Sequence, residues 1–146
     1  MSQNNIREIL TKYKTVAIVG LSRDPTKDSY RVAEYLKKHS FHIVSVNPFV
    51  DEVLGEKSYK SLLDLPVGVQ KTLDIVDIFR PSAEVSPIME QVVHLKKSHA
   101  VPYVVWMQLG ITNEQAAETA RREGLTVVMN KCIMREHKRL FGGNGK

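Results

Sequence analysis

The sequence predicts an α/β fold built on an open, doubly wound parallel sheet of five strands, order 3-2-1-4-5, with helices on both faces. Two observations carry this prediction. Five short runs are apolar throughout, as strands covered on both faces must be, and helical patterns separate them, giving βαβαβαβαβ behind a leading helix. The size agrees: 146 residues, 42% of them from the set AVILMFWYC, suit one domain that buries roughly 68–70% of its unfolded surface without disulfide or metal staples. Crossovers in such a sheet are right-handed, and the order follows if the chain reverses direction after its third strand.

The elements follow in order. In residues 3–12 Ile6, Ile9 and Leu10 stand at helical spacing, and Thr15 to Leu21 (TVAIVGL) is the strongest strand. After the polar SRDPTKD, a helix runs from Tyr30 to His39, with Val32, Tyr35 and Leu36 on one face and Asp28 or Ser29 as its cap. Phe41 to Val46 is the second strand. Asn47-Pro48 stops it, because proline cannot donate to a ladder. A short helix is expected over 58–64 (SYKSLLD), and Leu73 to Phe79 is the third strand, ended by Arg80-Pro81. Ser82 to Lys97 reads as helix with Ser86 as cap and Pro87 at its first position. Pro102 to Met107 is the fourth strand. Thr112 opens a helix through Glu123, Gly124 closes it, and Leu125 to Met129 is the fifth strand. The organisation is then a leading helix over 1–13, a domain over 14–140 and a flexible tail over 141–146.

No run approaches the ~20 apolar residues of a membrane span, and the first twenty residues lack a signal peptide's pattern. The single cysteine, Cys132, excludes an intrachain disulfide, and both points favour the cytoplasm. Lysine and arginine exceed aspartate and glutamate by 21 to 16, a net charge of +5. This surplus admits nucleic acid, a membrane surface or a phosphorylated small ligand. Most of it is dispersed over helix faces. The cluster at Lys131, Arg135, Lys138, Arg139 and Lys146 reads as a solvated tail, since the interleaved aromatics or recognisable module of a nucleic-acid surface are missing.

Ligands of open α/β sheets bind at the carboxyl ends of the strands. Those ends are Gly20-Leu21-Ser22-Arg23, Asn47-Pro48, Phe79-Arg80, Gln108-Leu109-Gly110 and Asn130-Lys131-Cys132. Gly20 either makes a tight turn or lets an anion approach the backbone at the next helix start, with Ser22, Arg23, Lys27 and Ser29 adding donors. The dinucleotide fingerprint G-x-G-x-x-G is absent, as is an acid at the end of the second strand, and no G-x-x-x-x-G-K-[ST] occurs, so ordinary dinucleotide and P-loop sites lose ground. No residues stand at a trustworthy metal-ligand spacing, and no catalytic set is evident. Cys132 is either a small packed residue or a nucleophile favoured by Lys131 and Arg135. Trp106 is either core or a wall of the ligand site.

The run TVAIVGLSRDPTKDSYRVAEYL, then VNP, VDIFRPS, VVWMQLG and VMNKCIMREH, resembles the CoA-binding protein family related to the CoA-binding domain of the succinyl-CoA synthetase alpha subunit. The resemblance covers roughly residues 14 to 140. It implies a Rossmann-like domain that binds coenzyme A or an acyl-CoA, with neither nucleic acid nor membrane as partner. It assigns Gly20, Ser22, Arg23 and Lys27 to the phosphates, Asn47 and Pro48 to the adenosine, and Phe79 and Arg80 to the third strand end. Gln108, Gly110, Asn130 and Cys132 fall on the pantetheine side. Two departures matter. The synthetase domain usually has a lysine just after its second strand, where this chain reads PFVDEVLG, so Arg23 and Lys27 are expected to carry more of the phosphate charge. Ile133 follows Cys132 where the family commonly has proline. The synthetases' phosphorylated histidine lies in a second domain that this chain lacks, so binding without catalysis is the expectation. A thiol-reactive or redox role for Cys132 and a CoA-binding subunit of a split synthetase are the alternatives. A homo-oligomer or a separate partner subunit is left open.

Overall fold

The computed structural model describes residues 3–142. Its sheet has strands β1 (Thr15–Val19), β2 (His42–Val46), β3 (Glu52–Val53), β4 (Glu56–Tyr59), β5 (Ile75–Ile78), β6 (Val104–Met107) and β7 (Thr126–Met129), in the order β3-β4-β2-β1-β5-β6-β7. Every pairing is parallel except the β3–β4 hairpin. Helices α1 (Gln3–Lys12), α2 (Asp28–Lys38) and α6 (Ile133–Phe141) bury residues on one face. Helices α4 (Val85–His99) and α5 (Glu114–Arg122) cover the other, and a short α3 (Val67–Gln70) precedes β5.

The doubly wound α/β fold is therefore the predicted one, but the strand count and one placement are corrected. The place beside β2 expected for the third strand belongs to β4, and the run 73–79 lies beside β1 on its other flank, so the five expected strands run 2-1-3-4-5. The reason is that β4 reads EKSY, a polar strand near the sheet edge, and its Ser58-Tyr59 resembles a helix start. It is held by pairing Ser45↔Ser58 and Val46↔Tyr59, with the Ser45 hydroxyl donating to Ser58 at 3.0 Å. Leu54 and Gly55, both at positive φ (54° and 79°), make the two-residue turn from β3. The chain reverses after β4, so the end of β1 still lies at the switch between the two halves of the sheet.

Alternation along the strands sorts the core. Val16 and Ile18 face α1, α2 and α6, while Ala17 and Val19 face α4 and α5. The Asp74 carboxylate accepts from the Lys14 and Thr15 amides at 3.1 Å each, which sets the start of β1 against β5. Besides Ser45, whose hydroxyl is bonded, one acidic residue breaks the apolar pattern of the central strands. Asp77 stands between Ile18 and Trp106 in register, is 0% exposed, and neither carboxyl oxygen has a hydrogen-bond partner. Burial pushes its carboxyl well above the usual carboxylate range.

Three helix starts differ from expectation, and of the three only α5 has a side-chain cap. Neither Asp28 nor Ser29 caps α2; the Ser29 hydroxyl instead accepts from the Ser22 amide at 2.9 Å. Pro87 is the third residue of α4, behind a 3₁₀ turn over Ser82–Glu84. Asn113 rather than Thr112 caps α5, accepting from the Ala116 amide at 2.9 Å. The basic C-terminal stretch is not a tail but helix α6, through Phe141. It is docked by Ile133 and His137, whose Nδ1 lies 2.7 Å from the Tyr35 hydroxyl. Burial, then the neighbouring His39 and Lys14 charges, hold the His137 imidazole below the usual histidine range. Residues 143–146 of the expected tail lie outside the described residues. No helix among the described residues is long and apolar enough to cross a membrane.

Candidate functional site

The strand ends converge at the sheet's switch point. Gly20 follows β1 with φ +94°, a conformation that side chains rarely adopt, and its amide donates to the Val46 carbonyl at 2.8 Å. A Cβ at this position would stand 2.9 Å from Arg80 Cδ. Glycine is thus required by backbone shape and by the aliphatic stem of Arg80, which crosses directly over it. The Arg80 guanidinium is held by a two-pronged pair with Glu84, Nε to Oε1 at 3.0 Å and Nη2 to Oε2 at 2.9 Å. That contact raises the Arg80 pKa and lowers that of Glu84.

Several expected ligand groups are spent on the loops themselves. Asn47 ties the β1 and β2 ends together, its Nδ2 donating to the Leu21 carbonyl at 2.9 Å while its Oδ1 accepts from the Phe49 amide at 2.8 Å. Ser22 Oγ accepts from the Asp24 amide, and the Asp24 carboxylate accepts from the Thr26 amide and hydroxyl, bonds that lower its pKa. Buried Gln108 receives the Ile133 amide on Oε1 at 3.1 Å, anchoring the start of α6. Gly110 donates to Asn130 Oδ1 at 2.7 Å, joining the last two strand ends. Trp106 is core: it is fully buried and its indole donates to the Lys131 carbonyl at 2.8 Å.

Two cavities open beside this framework. The first, about 390 Å³, is lined by Arg31, Val32, Phe79, Gln108, Cys132 and Arg135. The second, about 230 Å³, is lined by Gly20, Pro48, Phe49, Lys60, Arg80 and Glu84. Adjacent residues Phe79 and Arg80 serve opposite cavities, so the β5 end divides them. Of the residues expected at a ligand, Phe79, Gln108 and Cys132 meet in the first cavity and Gly20, Pro48 and Arg80 in the second. Ser22, Asn47, Gly110 and Asn130 act in the loops, and Arg23 and Lys27 are exposed and line neither cavity.

The sequence profile of the CoA binding domain matches residues 14–138. The chain belongs to the CoA-binding domain family. It is 34% identical over 136 residues to the uncharacterized protein YneT of Bacillus subtilis, covering 93% of this chain and 94% of YneT. It is 36% identical over 78 residues to an ADP-forming acetate–CoA ligase of Methanocaldococcus jannaschii, matching 53% of this chain but 10% of the ligase. Among solved structures, a hypothetical protein from Pyrococcus horikoshii OT3 superposes with a TM-score of 0.88 at 39% identity, over 97% of this chain and 94% of that one. A CoA-binding domain is thus homologous to part of a much larger ligase and recurs as a chain of this size. The domain's cavities also contain residues that sequence reasoning misses. Phe49 is 81% exposed beside Pro48, Lys60 follows the polar strand β4, and Arg31 lies one helical turn beyond Lys27. An aromatic placed directly after Asn-Pro at a strand end is the available signal for Phe49.

Proposed function

We propose that the protein binds coenzyme A or an acyl-CoA across both cavities. The observation that carries this reading is the pair of cavities at the switch point of the sheet, with Phe79 on the wall of one and the adjacent Arg80 on the wall of the other. A ligand with a nucleotide at one end and a long, mostly uncharged arm at the other suits such a divided site. The ADP portion lies on the Gly20, Pro48 and Arg80 side. The pantetheine arm passes over the β5 end toward Phe79, Gln108 and Cys132. Arg23 and Lys27 sit on the adjoining loop and contribute positive field at the mouth, so their effect on the polyanion is screened by salt. Asn47, Gly110 and Asn130 support the site by fixing the loops. Titration calorimetry with coenzyme A, NAD and ATP in reducing buffer tests the reading, and absence of heat with coenzyme A overturns it.

The position of Cys132 on the wall of the first cavity favours a second reading, covalent capture of the ligand. In that step the Cys132 thiolate attacks coenzyme A disulfide, forming a protein–CoA disulfide and releasing one CoA thiolate, with no net change in oxidation. Intact mass after incubation with CoA disulfide should show one added CoA moiety, removed by reductant and missing in Cys132→Ser. The match to a tenth of an ADP-forming ligase supports a further arrangement, a separate chain that uses this domain as its CoA-binding subunit. Copurification of such a chain is its test.

A further inference from the structure

We infer that Lys60 is the residue that selects a nucleotide bearing a second phosphate on its ribose, and so separates coenzyme A from dephospho-CoA. The inference rests on the coenzyme A reading. The second cavity has two cations on its wall, Lys60 and Arg80. Arg80 is engaged by both oxygens of Glu84, whereas Lys60 forms no ion pair among the described residues. An exposed ammonium at a cavity mouth, without a carboxylate to neutralise it, is available to an incoming anion.

The position of Lys60 fixes which anion it meets. It directly follows β4, and β4 is separated from β1 by β2 alone, so its strand end stands two strand spacings, about 9–10 Å, from that of Gly20. Phe49, 81% exposed, lies at the end of the intervening strand on the same cavity, with its amide fixed by Asn47. The arrangement from β1 to β4 is therefore a glycine with a guanidinium across it, an aromatic ring, and a free ammonium. This order accepts a purine on Phe49 and a ribose carrying phosphate on two different oxygens, one group toward Gly20 and Arg80 and the other toward Lys60. Coenzyme A has a 3′-phosphate of about −1.5 to −2 charge at neutral pH to place there, and dephospho-CoA has none. Glu84, the acid on this cavity wall, is paired with Arg80 and forms no ion pair with Lys60.

Calorimetry at 0.15 M salt decides it, comparing coenzyme A and dephospho-CoA on the wild type and on Lys60→Gln, Lys60→Arg and Lys57→Gln. The wild type should prefer coenzyme A by about tenfold, the effect of one charge-assisted contact. Lys60→Gln should erase that preference by weakening coenzyme A alone, and Lys60→Arg should retain it. Lys57→Gln removes an equal charge from the same strand outside the cavity and should leave the preference intact. The inference is overturned if Lys60→Gln weakens both ligands equally, if Lys57→Gln abolishes the preference too, or if the wild type shows none. A wild type that binds neither ligand removes the coenzyme A reading itself, and this inference with it.

Discussion

Replacing Asp77 by asparagine should change how stability depends on pH. Asp77 sits wholly buried on a central strand between Ile18 and Trp106 with no partner for either oxygen, so the folded protein holds it protonated far above its unfolded pKa of about 3.8. Between that value and its raised folded pKa the native state carries one proton more than the unfolded state. The linkage slope is then negative, and folding stability contributed by this group falls as pH rises. The limit for one proton is about 1.4 kcal/mol per pH unit. Asparagine has nearly the same shape but no titration, so its desolvation cost is constant. The wild type should therefore lose stability relative to Asp77→Asn as pH rises above 5, at a rate no steeper than that one-proton limit. Urea unfolding of both proteins at pH 5, 6 and 7 measures the gap directly, and because other groups titrate identically in both, the difference isolates Asp77. A gap that stays constant within about 0.5 kcal/mol would refute the reasoning.

His137 acts with the opposite sign. Its depressed folded pKa means the unfolded state binds more protons, so its stabilising contribution is present above about pH 6.5 and is lost as pH falls through the folded pKa; thermal melts of His137→Phe should show a shallower acid-side decline than wild type. Gly20→Ala forces a side chain at φ +94° into the Arg80 stem, and should lower stability by about 1–2 kcal/mol and weaken coenzyme A binding, measured by melting and calorimetry. Gln108→Leu leaves the buried Ile133 amide without its acceptor, at a cost of about 1–3 kcal/mol, and hydrogen exchange should report faster opening at the start of α6.

What can be read from sequence is what apolar burial writes into it. The central strands announce themselves because both their faces are covered, and Gly20 announces a close approach. The group that approaches is the stem of Arg80, a contact sixty residues away that local spacing cannot reveal. Strand β4 is unreadable because a polar strand near the sheet edge is specified by its neighbours, here Ser45 and Val46, rather than by its own composition. Helix α6 reads as a solvated tail because only Ile133 and His137 are buried in it, and a histidine among lysines and arginines passes for one more charged residue. The same limit applies at the site. Gly20, Arg80, Gln108 and Cys132 are legible through their strand ends, whereas Lys60 has no place until β4 does.

The single peptide step from Phe79 to Arg80, with its two side chains turned to different cavities, gives the site the character of a chelating receptor. Each half of a bipartite ligand would find a small pocket of its own, and neither alone would be expected to hold well. Joined by a covalent arm that crosses the step, the second contact becomes intramolecular and gains the effective concentration of a short tether. The fragments 3′,5′-ADP and pantetheine should then bind weakly and without competing, and their covalent union far more tightly than either. In such a receptor, the length of the ligand's arm becomes part of what is recognised.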